Sequence, residues 1–144
     1  MADTKYGKYI ITGAEADLKL PAYRRDVAEI AAGAHTRSIY LDDKVIKGAC
    51  HVECIWYWRG GSEQSIVEAH THHFDEVIAF FGTNREDSQD LCGEIELWLE
   101  DEKHILTKSF LAFIPKGMKH CPLIVKRVDR PIFHFLVVLG GEYE

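Results

Sequence analysis

The chain has 144 residues, of which 47% are hydrophobic and 28% are charged, and its formal net charge is −6 at pH 7. This length allows one compact domain with a substantial hydrophobic core and is short for two. Lysines and arginines are interspersed with acidic residues, so the chain lacks the clustered basic surface that binding to nucleic acid requires.

The N-terminal residues carry no signal for export or membrane insertion. Polar and charged residues follow Met1, where a secretory signal would have an apolar stretch, and no apolar run reaches the roughly 20 residues that span a bilayer. We therefore expect a cytoplasmic protein without a membrane partner. The spacing of the cysteines matches no familiar disulfide framework, which predicts free thiols at Cys50, Cys54, Cys92 and Cys121.

The region before residue 36 is predicted to form an arm and a short helix. Residues 9–12 are typical of an extended arm or an edge strand. Residues 21–33 begin with proline, contain good helix formers and end with glycine, which predicts a short helix. We expect residues 1–35 to pack on a single barrel domain formed by residues 36–144.

From residue 36 onward, β-strand signals dominate. Acidic and apolar residues alternate in residues 94–100, which places Ile95, Leu97 and Leu99 on one buried face. Short strands separated by turns predict an all-β, antiparallel barrel or sandwich. The predicted strands cover residues 37–41, 50–58, 94–100, 105–107, 110–115, 123–125 and 131–139, with two more flanking the histidines in 65–81.

The segment 50–58 has a polar and an apolar face, and hydrophobicity favours the apolar face as core. All seven phenylalanines lie at strand spacing and are also predicted to be core. The polar face, which could instead line the cavity, carries His51, Glu53 and Tyr57. The apolar face carries Cys50, Val52, Cys54, Trp56 and Trp58.

Residues 82–93 form a polar segment bounded by glycines. This segment is longer than a usual hairpin connection. It is either a lid over the cavity entrance or a solvated insertion without a specific role.

Three histidines and one carboxylate form two clusters with the composition of a metal site. His70, His72 and Glu76 share one strand parity, so they project to the same face. His120 follows a Pro-x-Gly turn, which can direct a fourth ligand from another strand. This donor set suits iron, manganese, cobalt, nickel, copper or zinc, and it leaves open positions for a substrate. The sequence therefore predicts one divalent transition metal without identifying it.

Residues next to these clusters have alternative interpretations. His73 and Asp75 have the opposite parity and are expected to face outward or to support the ligands. Cys121 could line the cavity edge, although a small hydrophobic core residue is the favoured interpretation. His134 is interpreted as a hydrogen-bonded core histidine, with a position facing the metal as the alternative.

The two clusters resemble, in order and spacing, the two motifs of the cupin superfamily. This resemblance implies a small jelly-roll barrel that holds one divalent metal inside through the three histidines and Glu76, and often a homodimer. Some glycine and asparagine positions of the motifs are not matched, but no ligand is missing. The matching cores are His70-x-His72-x3-Glu76 and Pro115-x-Gly117-x2-His120.

On this basis we expect a metal-dependent enzyme, dioxygenase-like or isomerase/lyase-like, that acts on a small organic molecule in the barrel. Glu76 is the candidate general base besides being a metal ligand. A non-catalytic ligand-binding or sensor protein with the same metal site is the alternative. A purely structural metal is a third interpretation.

Overall fold

In the part of the chain that the structure describes, eight β-strands in two sheets build the barrel. The computed structural model describes residues 4–13, 33–60 and 67–139. The strands are β1 (His35–Leu41), β2 (His51–Tyr57), β3 (Glu76–Phe81), β4 (Asp90–Leu99), β5 (Glu102–Lys108), β6 (Phe110–Ile114), β7 (His120–Val128) and β8 (Ile132–Val138). The larger sheet has the order β1-β2-β8-β3-β6, and the smaller sheet has the order β5-β4-β7.

Strands that are distant in sequence are neighbours in the larger sheet. β8, which comes last among the described strands, lies between β2 and β3. In the smaller sheet, β4 pairs with β5 on one side and with β7 on the other. Every strand pairing among the described residues is antiparallel. The predicted all-β, antiparallel jelly-roll barrel is therefore confirmed.

The hydrophobic core lies between the sheets. β4 follows the period-two pattern expected for a half-buried strand, since Ile95 and Leu97 are 0% and 1% exposed. Leu99 is partly buried and packs against the same cluster, as predicted. The largest fully buried apolar side chains among the described residues are Ile55, Phe80, Leu91, Ile95, Leu97, Ile114, Ile132 and Val138.

The inward face of β2 is the polar one, so the prediction for this strand is wrong. His51 and Glu53 are buried, whereas Trp56 on the opposite face is half-buried. The Glu53 carboxylate accepts a hydrogen bond of 2.9 Å from Nε of Arg37 and another of 2.9 Å from Nε2 of His51. Pairing of this kind offsets much of the cost of burying a charge. Hydrophobicity was a poor guide because the outer face of this sheet is itself apolar.

The outer face of the five-stranded sheet carries a row of aromatic rings. The Phe133 ring lies 5.0 Å from that of Trp56 and 6.2 Å from that of Phe135. On β6, Leu111 and Phe113 are 64% and 59% exposed. We use the name outer aromatic face for Trp56, Phe81, Leu111, Phe113, Phe133 and Phe135.

The phenylalanines are thus divided between the interior and this face. Phe80 is fully buried and stacks on Phe110 at a centroid distance of 5.5 Å, which agrees with the predicted core role. The prediction is wrong for the four phenylalanines of the outer aromatic face. Strand parity is the reason, because β3 directs Phe80 inward and therefore Phe81 outward.

The connection between β3 and β4 covers residues 82–89 and is shorter than the predicted 82–93, because β4 begins at Asp90. Gly93 belongs to β4, where an added Cβ would overlap the backbone of the neighbouring strand β7. The loop starts at the end of β3 that is remote from Glu76, about 17 Å of strand away. The position of this loop therefore does not fit the predicted role of a lid over the four candidate ligands.

The described N-terminal residues 4–13 form an exposed arm with one 3₁₀ turn at Gly7–Tyr9. Residues 4–13 contain no edge strand, and packing of the predicted arm on the barrel stays a prediction. The helix predicted for residues 21–33 falls, except for its last residue, outside the described residues, and the domain division at residue 35 stays a prediction. Within the described ranges, no helix has the length and apolar character needed to cross a membrane.

Candidate metal centre

The structure brings the four predicted ligands together. Glu76 is the first residue of β3 and His120 the first of β7, while His70 and His72 lie in the irregular segment that leads into β3. One donor atom from each of the four side chains lies within 4.8 Å of the others. His72, Glu76 and His120 are buried, and His70 is half-buried. This group could therefore hold one metal ion.

Backbone hydrogen bonds join the two sequence clusters. The N–H groups of His70 and His120 each donate to the other residue's carbonyl at 3.0 Å. The Gly117 N–H donates to the His72 carbonyl at 2.9 Å, where Gly117 has a φ of 84° that favours glycine. Parity grouped His70 with His72 correctly, although His70 forms an isolated bridge with His120 and His72 lies outside the strands that the structure describes.

Of the two intervening polar residues, one supports the site and one faces outward. The Asp75 carboxylate accepts a hydrogen bond of 2.9 Å from the Lys116 backbone N–H, which holds the turn that precedes His120. His73 is exposed. Both placements are among those predicted.

Each of the three histidines is held by a backbone carbonyl two residues away. Nδ1 of His70 lies 2.6 Å from the Glu68 oxygen, Nδ1 of His72 lies 2.9 Å from the Phe74 oxygen, and Nδ1 of His120 lies 2.9 Å from the Met118 oxygen. A carbonyl oxygen can only accept, so each Nδ1 carries the proton and donates it. Nε2 is then the ring atom available to a metal on all three imidazoles.

The donor atoms meet at the Glu76 carboxylate. Its Oε1 lies 3.0 Å from Nε2 of His72 and 3.2 Å from Nε2 of His120. Neutral imidazole nitrogens and a carboxylate oxygen all present lone pairs, so contacts this short require a cation, either a proton or a metal ion. Three nitrogens and one oxygen form a donor set that fits a divalent transition metal.

The local environment keeps Glu76 and His70 deprotonated at neutral pH. Burial alone would raise the pKa of Glu76, but hydrogen bonds from His120 and His72 outweigh it and lower the pKa to about 2. Burial lowers the pKa of His70 to about 4, against the opposing effect of its hydrogen bond to the Glu68 carbonyl. Neither group needs to lose a proton at pH 7 before it can bind a metal.

These two pKa values predict acid sensitivity of the metal-free protein. Both folded values lie below the ordinary values of 6.5 for histidine and 4.5 for glutamate, so the unfolded chain binds more protons as the pH falls. The free energy of unfolding should therefore decrease as the pH falls from 6.5 to 4 because of His70, and from 4.5 to about 2 because of Glu76.

Urea denaturation of the chelated protein over this pH range measures the effect. His70→Gln should flatten the decrease between pH 6.5 and 4, and the exposed His73→Gln should leave it unchanged. An equal slope in wild type and His70→Gln would contradict the assignment.

A small cavity adjoins the donor atoms. Cys121 lines this cavity and is 3% exposed, so its side chain is both a small buried core residue and part of the cavity wall. His134 also lines the cavity and donates from Nδ1 to the Ala79 carbonyl at 2.7 Å. It is thus the predicted hydrogen-bonded core histidine, and it borders the site as well.

The sequence placed Tyr57 in a polar row that could line the cavity, but this was the less favoured interpretation. Tyr57 is 2% exposed and shares the inward face of β2 with His51 and Glu53. The polar face recognised in the sequence contained this signal, but the apolar face was favoured as core. All four cysteines are free, as predicted, although Cys121 alone among them is fully buried.

Comparisons with known proteins identify the fold. No protein-family model matches the sequence, and no curated protein matches it. A conserved protein with a double-stranded β-helix domain from Klebsiella pneumoniae is 17% identical over 91% of this chain and 95% of its own, with a TM-score of 0.50.

Two further solved structures are similar. A protein described as a predicted oxalate decarboxylase from Thermotoga maritima is 14% identical over 74% of this chain and 79% of its own, with a TM-score of 0.48. KdgF from Halomonas sp. is 16% identical over 72% of this chain and 76% of its own, with a TM-score of 0.41. The chain has a double-stranded β-helix fold, with a His–Glu cluster that could bind a metal.

Proposed function

We propose that the protein is an enzyme dependent on one divalent metal and that it converts a small organic molecule in the barrel cavity. The observation that carries this proposal is the convergence of four donor atoms within 4.8 Å beside a small cavity. A metal held there supplies Lewis-acid or redox chemistry, which is compatible with an isomerase/lyase-like or a dioxygenase-like reaction.

The protein side chains have separate tasks in this proposal. The three histidines arrive with fixed orientation, because each Nδ1–H is bound to a carbonyl. Apolar walls such as Ile78 and Leu136 keep water from the reacting molecule. Glu76 is ionised at pH 7, and its pKa of about 2 makes it a good ligand but a weak base. To act as a general base, Glu76 must move so that its contacts with His72 and His120 lengthen during the reaction.

Turnover by Glu76→Gln tests this role. With a substrate found by screening small organic acids, the variant should lose at least about 100-fold in kcat, the lower end of the general-base contribution. Oxygen uptake during the same assay separates the dioxygenase-like from the isomerase/lyase-like reaction. Full turnover by Glu76→Gln would refute the catalytic role of this residue.

The alternative is a non-catalytic protein that binds a small ligand at the same metal site. The buried cavity supports this alternative equally, since a binding protein needs the same enclosed space. Metal-dependent binding of a ligand that is recovered chemically unchanged after prolonged incubation would favour it. The cytoplasmic location expected from the sequence stays a prediction.

We also propose that two copies associate through the outer aromatic face. The outward positions of β3, β6 and β8 carry only apolar residues, and Leu111 and Phe113 are exposed beyond what a monomer usually tolerates. An uncharged face of this kind complements a second uncharged face, which another copy of the same chain provides. The homodimer would then use the larger sheet.

Light scattering on purified protein tests this association. The double variant Leu111→Ser/Phe113→Ser should be a monomer at concentrations where the wild type is a dimer. Ile105→Ser is the matched control, because Ile105 is 45% exposed on β5 of the other sheet. A monomeric wild type, or a dimer unaffected by the double variant, would refute this interface.

A further inference from the structure

Two groups of strongly exposed apolar side chains occur in the described residues. The first lies on the N-terminal arm, where Tyr6, Tyr9 and Ile10 are 63%, 59% and 71% exposed. The second, which we call the β6 edge, consists of Leu111 and Phe113, at 64% and 59% exposed. Several large apolar side chains together in water mark a surface that becomes buried on association. Each group therefore needs a partner surface.

The arm presents a small aromatic surface that carries positive charge. The rings of Tyr6 and Tyr9 stack across the 3₁₀ turn at a centroid distance of 6.5 Å. Nζ of Lys5 and Nζ of Lys8 lie 5.2 and 5.3 Å from the centroids of these rings. Within the described residues, no hydrogen bond, ion pair or ring contact joins the arm to the barrel. Both faces of this tyrosine pair are therefore available to another surface.

The β6 edge has the complementary chemistry. β6 is the last strand of its sheet among the described residues, and the outward positions of β3, β6 and β8 carry only apolar side chains. An exposed phenylalanine ring attracts a lysine ammonium to its face. Tyrosine is enriched in the buried parts of protein interfaces, where its ring packs on apolar side chains. An arm with two tyrosines and two lysines thus fits an uncharged aromatic edge.

A second copy of the chain, rather than the arm's own barrel, is the occupant. In a single chain the arm and the β6 edge are exposed at the same time, so the arm does not cover its own edge. Residues 14–34 connect the arm to β1, and a chain of that length spans at most roughly 70 Å. A domain of this size is about 40 Å wide. The arm can therefore reach a neighbouring barrel, and two-fold symmetry forms the contact twice.

We propose that the N-terminal arm of each copy covers the β6 edge of the partner's barrel in a two-fold dimer. The three exposed apolar side chains of the arm then pack on Leu111 and Phe113. The inference rests on the proposed association through the outer aromatic face, and it adds an exchanged segment to that association. The half-buried rings of Phe133 and Phe135 remain for direct contact between the two sheets.

Analytical ultracentrifugation of the full chain measures the dissociation constant of the dimer. Tyr6→Ser/Tyr9→Ser removes the rings from both arms and should raise this constant at least about tenfold, because a few buried aromatic residues carry most of the binding energy of an interface. Thr4→Ala/Thr12→Ala changes the same arm at exposed polar positions and should leave the constant within about twofold. Circular dichroism of each variant checks that the barrel remains folded.

A double-mutant cycle tests whether the arm contacts the β6 edge directly. Tyr9→Ala and Phe113→Ala should each weaken the dimer. The double variant should weaken it by at least about threefold less than the product of the two single effects, as expected for residues in contact. Ile105→Ala on β5 of the other sheet is the control, and its effect should be independent of Tyr9→Ala.

The possible results separate this inference from the proposed association. A monomeric wild type, or a dimer unaffected by Leu111→Ser/Phe113→Ser, refutes both. If that variant is monomeric but Tyr6→Ser/Tyr9→Ser dimerises like the wild type, only the arm contact is refuted. Tighter dimerisation of the arm variant would mean that the arm shields the β6 edge of its own chain. Independent effects in the cycle would place the arm elsewhere on the partner, and either result overturns the inference.

Discussion

Replacing His72 or His120 by alanine is expected to reduce metal affinity by at least about 100-fold, so that purified variants contain far less than one equivalent of metal. Loss of partners that merely orient a ligand already costs 10- to 100-fold, and these variants lose a ligand itself. Both imidazoles present Nε2 to the same oxygen of Glu76, at 3.0 and 3.2 Å, so neither has a substitute in the described site. Elemental analysis after loading with one divalent metal at a time measures the effect.

The matched control is His73→Ala. This histidine follows His72 directly in the chain but is exposed, so its removal should leave the metal content of the protein unchanged. Equal metal content in wild type, His72→Ala and His120→Ala would show that any bound metal lies elsewhere. Binding of no metal by the wild type under every loading condition would refute the centre altogether.

Replacing Glu53 by alanine is expected to lower the free energy of unfolding by about 3 kcal/mol or more, the usual cost of breaking a buried charge pair by removing one partner. Glu53 is 0% exposed, and its two oxygens separately accept hydrogen bonds from Arg37 and His51. The substitution removes the negative charge that balances Arg37 inside the barrel wall. Urea denaturation monitored by tryptophan fluorescence measures the change.

An ion pair at the surface provides the comparison. Glu94 lies 3.6 Å from Arg127, with side chains that are 27% and 52% exposed, so Glu94→Ala should cost no more than about 1 kcal/mol. Glu53→Gln, which keeps the shape and one acceptor, should lie between wild type and Glu53→Ala. A cost for Glu53→Ala as small as that for Glu94→Ala would mean that the buried pair contributes little to stability.

The sequence predicted the structure correctly where a residue type has a single physical role. His70, His72, Glu76 and His120 are brought together as the ligand spacing predicted, since polar donors at fixed parity and a turn before the fourth constrain the geometry strongly. The alternation in β4 likewise predicted correctly that Ile95 and Leu97 face the core, because alternating apolar residues share one face of a strand.

In other places, contacts between residues that are distant in sequence determined which side chains are buried. The inward position of Glu53 depends on Arg37, which lies 16 residues away on the neighbouring strand, and no local pattern contains that contact. The exposed position of Phe113 depends on β6 being the last strand of its sheet among the described residues. The cavity role of Tyr57 follows from the same face of β2 that hydrophobicity assigned to the outside.

The carbonyl groups that orient the three histidines determine how much the sequence around this site can change without loss of its geometry. Every amino acid supplies a carbonyl, so the side chains of Glu68 and Met118 can be exchanged without loss of the atoms that orient His70 and His120. The ligands are therefore oriented by backbone carbonyl groups, which any sequence provides. The surrounding residues can therefore be substituted while the arrangement of the donor atoms is preserved. The four ligands themselves are the residues of this region that cannot be replaced.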